Sequence, residues 1–222
     1  MLTILYEDNH LLAINKSAGM LVQGDATGDK PLVELGKQYI KEKYKKPGEV
    51  FLGVVHRLDR PVSGVVVFAR TSKALERMNT LFRDKQTQKT YWALVAKKPS
   101  ANEGTLIHWL VKDEQKNKAT AYKKEHPQGQ RSELSYRVIK QVGSFFLLKV
   151  KPVTGRPHQI RVQLASMGCP IVGDVKYGYA QPNSAASICL HARSLSFVHP
   201  IKKEPVTINA NLPSQEYWNL VD

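Results

Sequence analysis

Gly64-Val65-Val66-Val67-Phe68-Ala69 is a short apolar run rich in β-branched residues, the pattern of a strand buried on both faces. Upstream of it stands the polar stretch His56-Arg57-Leu58-Asp59-Arg60; downstream, Thr71 or Ser72 can cap a helix whose Leu75, Met78, Leu81 and Phe82 share one face at core spacing. Further out, residues 3–6 and 11–15 read as two short strands around a turn at 7–10, so the folded domain is expected to begin almost at residue 1. Residues 31–44 suggest a helix built on Leu32, Leu35 and Ile40, and residues 41–48 break it as a charged, solvated loop. Residues 90–95 read as a strand, and 134–139 with 145–150 as a hairpin around Gly143-Ser144. Thr154-Gly155-Arg156-Pro157 opens a helix with Ile160, Leu164 and Met167 on one face, ending at Gly168. Strands outnumber helices without a regular βαβ rhythm, which predicts an α+β fold with a largely antiparallel sheet.

The 222 residues include 33 Lys+Arg against 19 Asp+Glu, a net charge of +14 that points to a polyanionic partner, although solubility alone also explains lysines. The two cysteines, Cys169 and Cys189, form no C-x-x-C pair and have no metal-ligand spacing to histidines, so neither structural zinc nor a disulfide framework is expected. No segment approaches transmembrane length, and a reducing, cytoplasmic setting without membrane attachment is the default expectation.

Two clusters carry candidate chemistry. His56-Arg57-Leu58-Asp59-Arg60 sets one carboxylate among basic groups just before a buried strand, where Asp59 should stay ionised; a surface salt-bridge cluster and a catalytic carboxylate both fit this pentapeptide. Thr154-Gly155-Arg156-Pro157-His158-Gln159-Ile160-Arg161 offers backbone N–H groups and cations to an anion at a helix start, either RNA phosphate or Asp59, and no acidic partner stands in the same segment. A capped, solvated helix start is the alternative.

Together with Lys89-Thr90-Tyr91, Gly173-Asp174-Val175-Lys176-Tyr177-Gly178 and Leu190-His191-Ala192, those two blocks stand in an order that resembles the RluA family of pseudouridine synthases. Two positions depart from the family pattern: Lys16-Ser17-Ala18-Gly19 has serine where proline is usual, and Val62-Ser63-Gly64 has valine where threonine is usual. The resemblance implies the pseudouridine synthase catalytic fold, one domain over residues 1–222 with a mixed, mainly antiparallel central sheet, helices, a basic active-site cleft and two lobes divided near mid-chain. A small S4-type RNA-binding domain, which some relatives carry, has no room before Thr3.

The resemblance further implies that Asp59 initiates breakage of the uridine N-glycosidic bond, after which uracil is rejoined to ribose through carbon 5, with no cofactor or metal. Arg161 would pair with Asp59 and keep it charged, and Tyr91 would stack on the target base, Trp92 facing the other side of its strand. Arg57 would fill the gap left by the extruded uridine, and Arg60, Lys89, Arg156, His158 and Lys176 would grip the RNA backbone. Leu190 closes an apolar pocket wall or belongs to the core; His191 and His199 are expected to be structural or solvent-facing. The implied partner is structured rRNA or tRNA, bound by a monomer with no obligate protein partner. Substrate choice would rest on loops at 25–30, 112–124 and 181–187.

Two rivals remain at the level of sequence. A non-catalytic basic RNA-binding protein would find a carboxylate among its arginines counterproductive. A glycoside hydrolase needs a second acid placed across the bond, and none accompanies Asp59 in its motif.

Overall fold

The computed structural model describes residues 2–25, 27–214 and 217–221. Ala26, within the loop at 25–30, lies outside the described residues. In chain order the elements are β1 (Thr3–Glu7), β2 (Leu11–Lys16), α1 (Leu32–Lys43), β3 (Gly53–Val54), β4 (Ser63–Ala69), α2 (Ser72–Arg83), β5 (Gln88–Val95), β6 (Glu103–Asp113), β7 (Lys118–Tyr122), β8 (Gln130–Val142), β9 (Phe145–Pro152), α3 (Gln159–Ser166), β10 (Leu190–Val198) and β11 (Pro205–Asn209). The chain divides into two compact units, Met1–Gln88 with Ala192–Asn211 and Lys89–His191 with Leu212–Asp222. The crossings thus fall at 88–89, 191–192 and 211–212, and the second lies inside β10.

In the first unit, β2 pairs antiparallel with both β1 and β4, Leu11 opposite Ala69 and Lys16 opposite Gly64. Every residue of β4 is buried. Its odd-numbered valines, Val65 and Val67, pack with Leu11 and Ala13 against Ala74 and Met78 of α2 and against Leu195, Phe197 and Ile208. On the other face α1 approaches closely: a Cβ at Gly36 would stand 2.6 Å from a methyl of Leu52 and 3.6 Å from methyls of Leu12 and Ile14. Helices on both faces explain why β4 reads as an unbroken apolar run rather than an alternation. Of the two candidate caps, Thr71 starts α2, its Oγ1 accepting the N–H of Ala74 at 3.2 Å.

The second unit holds a five-stranded antiparallel sheet in the order β5-β9-β8-β6-β7, and α3 covers one face of it. The expected hairpin is present as β8 and β9, turning at Gly143 with φ 57°. Residues 112–124, expected as a loop, are instead the ends of a second hairpin, β6 running to Asp113 and β7 from Lys118 to Tyr122, in register from Trp109↔Tyr122 to Asp113↔Lys118. Lys116 and Lys118 are exposed and Lys112 is partly buried, while Leu110 and Ala119 point inward to Val162 and Tyr177.

The start of α3 also differs from expectation. The helix begins at Gln159, and His158 before it is left-handed (φ 55°), so Arg156 and His158 occupy a turn that precedes the helix. Gln159 organises that turn: its Oε1 accepts from Thr154 Oγ1 (2.7 Å) and from the N–H of Arg156 (3.0 Å), while its Nε2 donates to the carbonyl of Glu133 (3.0 Å). Residues 159–164 are all buried, so α3 has no solvent face of the kind a one-sided apolar stripe suggests. Among the described residues no helix is long and apolar enough to cross a membrane.

Candidate active site

Asp59 sits half-buried in the loop between β3 and β4, in the first unit. Leu58 anchors that loop in the core at 8% exposure, and His56 fixes it further, accepting the N–H of Val67 at 3.0 Å and stacking on Phe82 with ring centroids 4.9 Å apart. The far side is clamped to Lys16-Ser17-Ala18-Gly19. Gly19 N–H donates to the Arg60 carbonyl (2.8 Å), and Arg60 Nε returns a bond to the Gly19 carbonyl (3.0 Å). Gly19 has φ 85°, which suits glycine and explains the end of that motif.

Lys16 completes the clamp. Its side chain is wholly buried, and Nζ donates to the carbonyls of Ser17 (3.1 Å), Met20 (2.8 Å) and Arg60 (3.1 Å). Burial pushes its pKa down to about 7, the charge of Asp59 opposing that fall and the charge of Arg60 adding to it. The Arg60 guanidinium is engaged by Asp29 (2.6 Å), whereas Arg57 projects into solvent.

In the second unit Arg161 is buried at 5% exposure and forms a two-pronged ion pair with Asp174, Nε–Oδ2 2.7 Å and Nη2–Oδ1 2.9 Å. Its guanidinium lies over the Tyr177 ring, 5.1 Å from the centroid. The Tyr177 hydroxyl accepts the N–H of Ala119 (2.8 Å) and stands 2.7 Å from His158 Nδ1, so the left-handed histidine is tied to the same cluster. The sequence motif from Gly173 to Gly178 therefore contributes its acid and its tyrosine. Sequence reasoning singles out Lys176 instead, because a cation is the obvious phosphate ligand; Lys176 donates to the Asn117 carbonyl (3.0 Å). Asp174 is the acidic partner that the helix segment lacks, Tyr177 packs beneath the guanidinium, and Lys16 is the residue that reading leaves without a role.

Tyr91 lies on β5 in one cross-strand row with Val150 and Tyr136, on the sheet face that α3 covers, and Trp92 faces the opposite way beside Lys149. Lys89 is half-buried; its Nζ reaches the Thr154 carbonyl at 3.5 Å, and burial lowers its pKa. Arg156 is exposed and Leu190 is buried at 3%. His191 and His199 are both fully buried, which removes the solvent-facing alternative for each. The structure thus gathers Arg57, Asp59 and Arg60 in one unit and Lys89, Tyr91, Arg156, His158, Arg161, Lys176 and Leu190 in the other.

A carboxylate on a doubly clamped loop and an arginine on a buried helix are parts expected of an enzyme that holds RNA, and comparison with known proteins gives them a family. Residues 10–166 match the model of the family described as RNA pseudouridylate synthase. The chain belongs to that family. It is 34% identical over 236 residues to the tRNA pseudouridine synthase C of Vibrio cholerae, covering 98% of this chain and 93% of that protein. It is 33% identical over 218 residues to the ribosomal large subunit pseudouridine synthase C of Vibrio vulnificus, covering 96% of this chain and 66% of the relative, so it spans about two thirds of that longer protein. Among solved structures, the human RNA pseudouridylate synthase domain containing 4 superposes with a TM-score of 0.80 at 27% identity, over 96% of this chain and 89% of that one.

Proposed function

We propose that the protein converts selected uridines of structured RNA, ribosomal or transfer, into pseudouridine, with Asp59 as the catalytic carboxylate. The observation that carries this reading is the loop that presents Asp59: a single acid fixed by Leu58 and His56 on one side and by Lys16 and Gly19 on the other, within a chain of net charge +14. A carboxylate held this firmly on a protein that must attract phosphates would weaken binding unless it performs chemistry. Support for the substrate class comes from the names of two relatives, one a tRNA enzyme and one a ribosomal enzyme.

In this mechanism the target uridine leaves its stack at a cost of a few kcal/mol, and Arg57 occupies the space it vacates. Asp59 initiates cleavage of the bond between N1 and the ribose carbon. The freed uracil turns, its carbon 5 joins the ribose, the carbon 5 proton is lost and N1 gains one, so substrate and product are isomers. Tyr91 stacks on the base and assists the carbon 5 proton transfer. Arg161 keeps Asp59 ionised as RNA excludes water. Arg60, Lys89, Arg156, His158 and Lys176 position the backbone, and Leu190 lines the pocket.

The test is carbodiimide-based mapping of pseudouridine in total RNA from cells lacking the gene, then complemented with wild type or with Asp59→Asn. One or a few sites should vanish on deletion and return only with wild type. Unchanged maps would leave RNA binding without catalysis as the better reading.

A further inference from the structure

The sheet of the second unit has a second face, opposite to the one that carries Tyr91 and α3. Cross-strand register places Trp92, Lys149, Arg137 and Glu103 in one row across β5, β9, β8 and β6, and Lys151, Ser135 and Thr105 in the next. Ile107 continues the face at 42% exposure. Lys149, Lys151, Arg137, Ser135, Thr105 and Glu103 line a hollow of about 400 Å³. The charges do not cancel. Arg137 pairs with Glu103 (2.7 Å) and Arg131 with Glu133 (2.8 Å), which uses both acids, while Lys149 and Lys151 have no ion pair among the described residues. The two lysines are two residues apart on one strand face, hence about 6.7 Å apart, with the Ser135 hydroxyl on the neighbouring strand, Thr105 on the strand beyond it and an indole beside the first.

We propose that this outer face binds an unpaired segment of RNA, with phosphates on Lys149 and Lys151 and a base against Trp92. Aromatic planes interleaved with cations on an open sheet suit single strands, whose bases are free to stack, rather than a paired stem. The proposal rests on the reading that the substrate is RNA, and it gives that RNA a hold separate from the face that carries Tyr91.

The test is fluorescence anisotropy with labelled oligouridylate, titrated over potassium chloride, for the wild type, K149Q/K151Q and K149R/K151R. The glutamine variant should bind roughly five- to tenfold more weakly at low salt, and its plot of log affinity against log salt should be shallower by about 1.4, the release expected for two single-strand phosphates. The arginine variant should restore both values. Equal affinity and slope in wild type and K149Q/K151Q would overturn the proposal, as would an equal loss of affinity for polyglutamate, which carries charge but no bases. Isomerisation of ribosomal and transfer RNA by the same wild-type preparation keeps the two readings apart. Activity with unaltered variant binding overturns the outer face alone; weakened variant binding without wild-type activity upholds the outer face and overturns the enzymatic reading.

Discussion

Lys16 places an ammonium at zero exposure and satisfies it with three carbonyls rather than a carboxylate. Removing it strands those acceptors, one of them on Arg60, next to Asp59. Lys16→Met should therefore cost about 1–3 kcal/mol in urea unfolding and lower activity by loosening the loop. Arg161 and Asp174 pose the opposite case, a buried pair in which each charge compensates the other. Asp174→Ala should cost about 3–5 kcal/mol because it breaks a buried two-pronged ion pair, and Arg161→Lys should lose that geometry, both measurable by denaturant titration. Asp59, Arg161 and Tyr91 are legible in the sequence as parts of motifs. Lys16, Asp174 and Tyr177 also stand inside motif blocks, but what they touch is not legible, because a side chain that serves another side chain or a carbonyl leaves no charge pattern in its own neighbourhood.

At the scale of elements, the strands best read from sequence are those with β-branched residues and clear turns: β1, β2, β4 and the β8–β9 hairpin. β6 and β7 escape such reading because β6 carries apolar side chains on both faces, Ile107 outward and Leu110 inward, and the inward positions of β7 are two small alanines. β10 has a fully buried histidine as its second residue, and β11 is five residues long and begins at proline. Thr71→Ala should remove the single side-chain cap of α2 and cost about 1 kcal/mol, seen as a lower midpoint in thermal unfolding. Gly64 has φ 117°, and a Cβ there would stand 2.3 Å from the Ala192 carbonyl oxygen. Gly64→Ala should consequently destabilise the protein by more than the cap variant does.

For the molecule as a whole, four groups whose pKa is lowered in the fold, His108, His199, Asp8 and Lys16, share one sign below about pH 9, while the raised Lys43, Lys202 and Cys169 act the other way in stronger alkali. Burial lowers the pKa of His199 and of His108, so the unfolded chain takes up protons on these residues before the fold does as pH falls below about 6.5; their contribution is lost as pH falls through that range. Asp8 is held far below the usual carboxylate range: burial works against this, but Lys202 (2.9 Å) and the N–H groups of His10 and Leu11 (both 2.8 Å) prevail. Its contribution is present above the unfolded value of 3.8 and disappears in stronger acid. Lys16, depressed to about 7 from 10.5, makes the unfolded state the better proton binder between those values, so stability should rise with pH there by at most about 1.4 kcal/mol per unit. Urea unfolding from pH 4 to 9 should show stability climbing across the series, with a flatter alkaline limb in Lys16→Met. The resemblance implies two lobes divided near mid-chain, but the returns at 191–192 and 211–212 are not readable from sequence, since β10 carries the chain from one core into the other without a break in composition. That interleaving bears on synthesis. Arg193 reaches back to the Ala210 carbonyl to finish the first core, and Trp218 packs by His191 while Val221 accepts from Lys140 to finish the second. A nascent chain stalled before Ala210 thus holds two unfinished cores and no finished one, so an incomplete translation product shows apolar surface to chaperones and proteases instead of circulating as a half-built RNA binder.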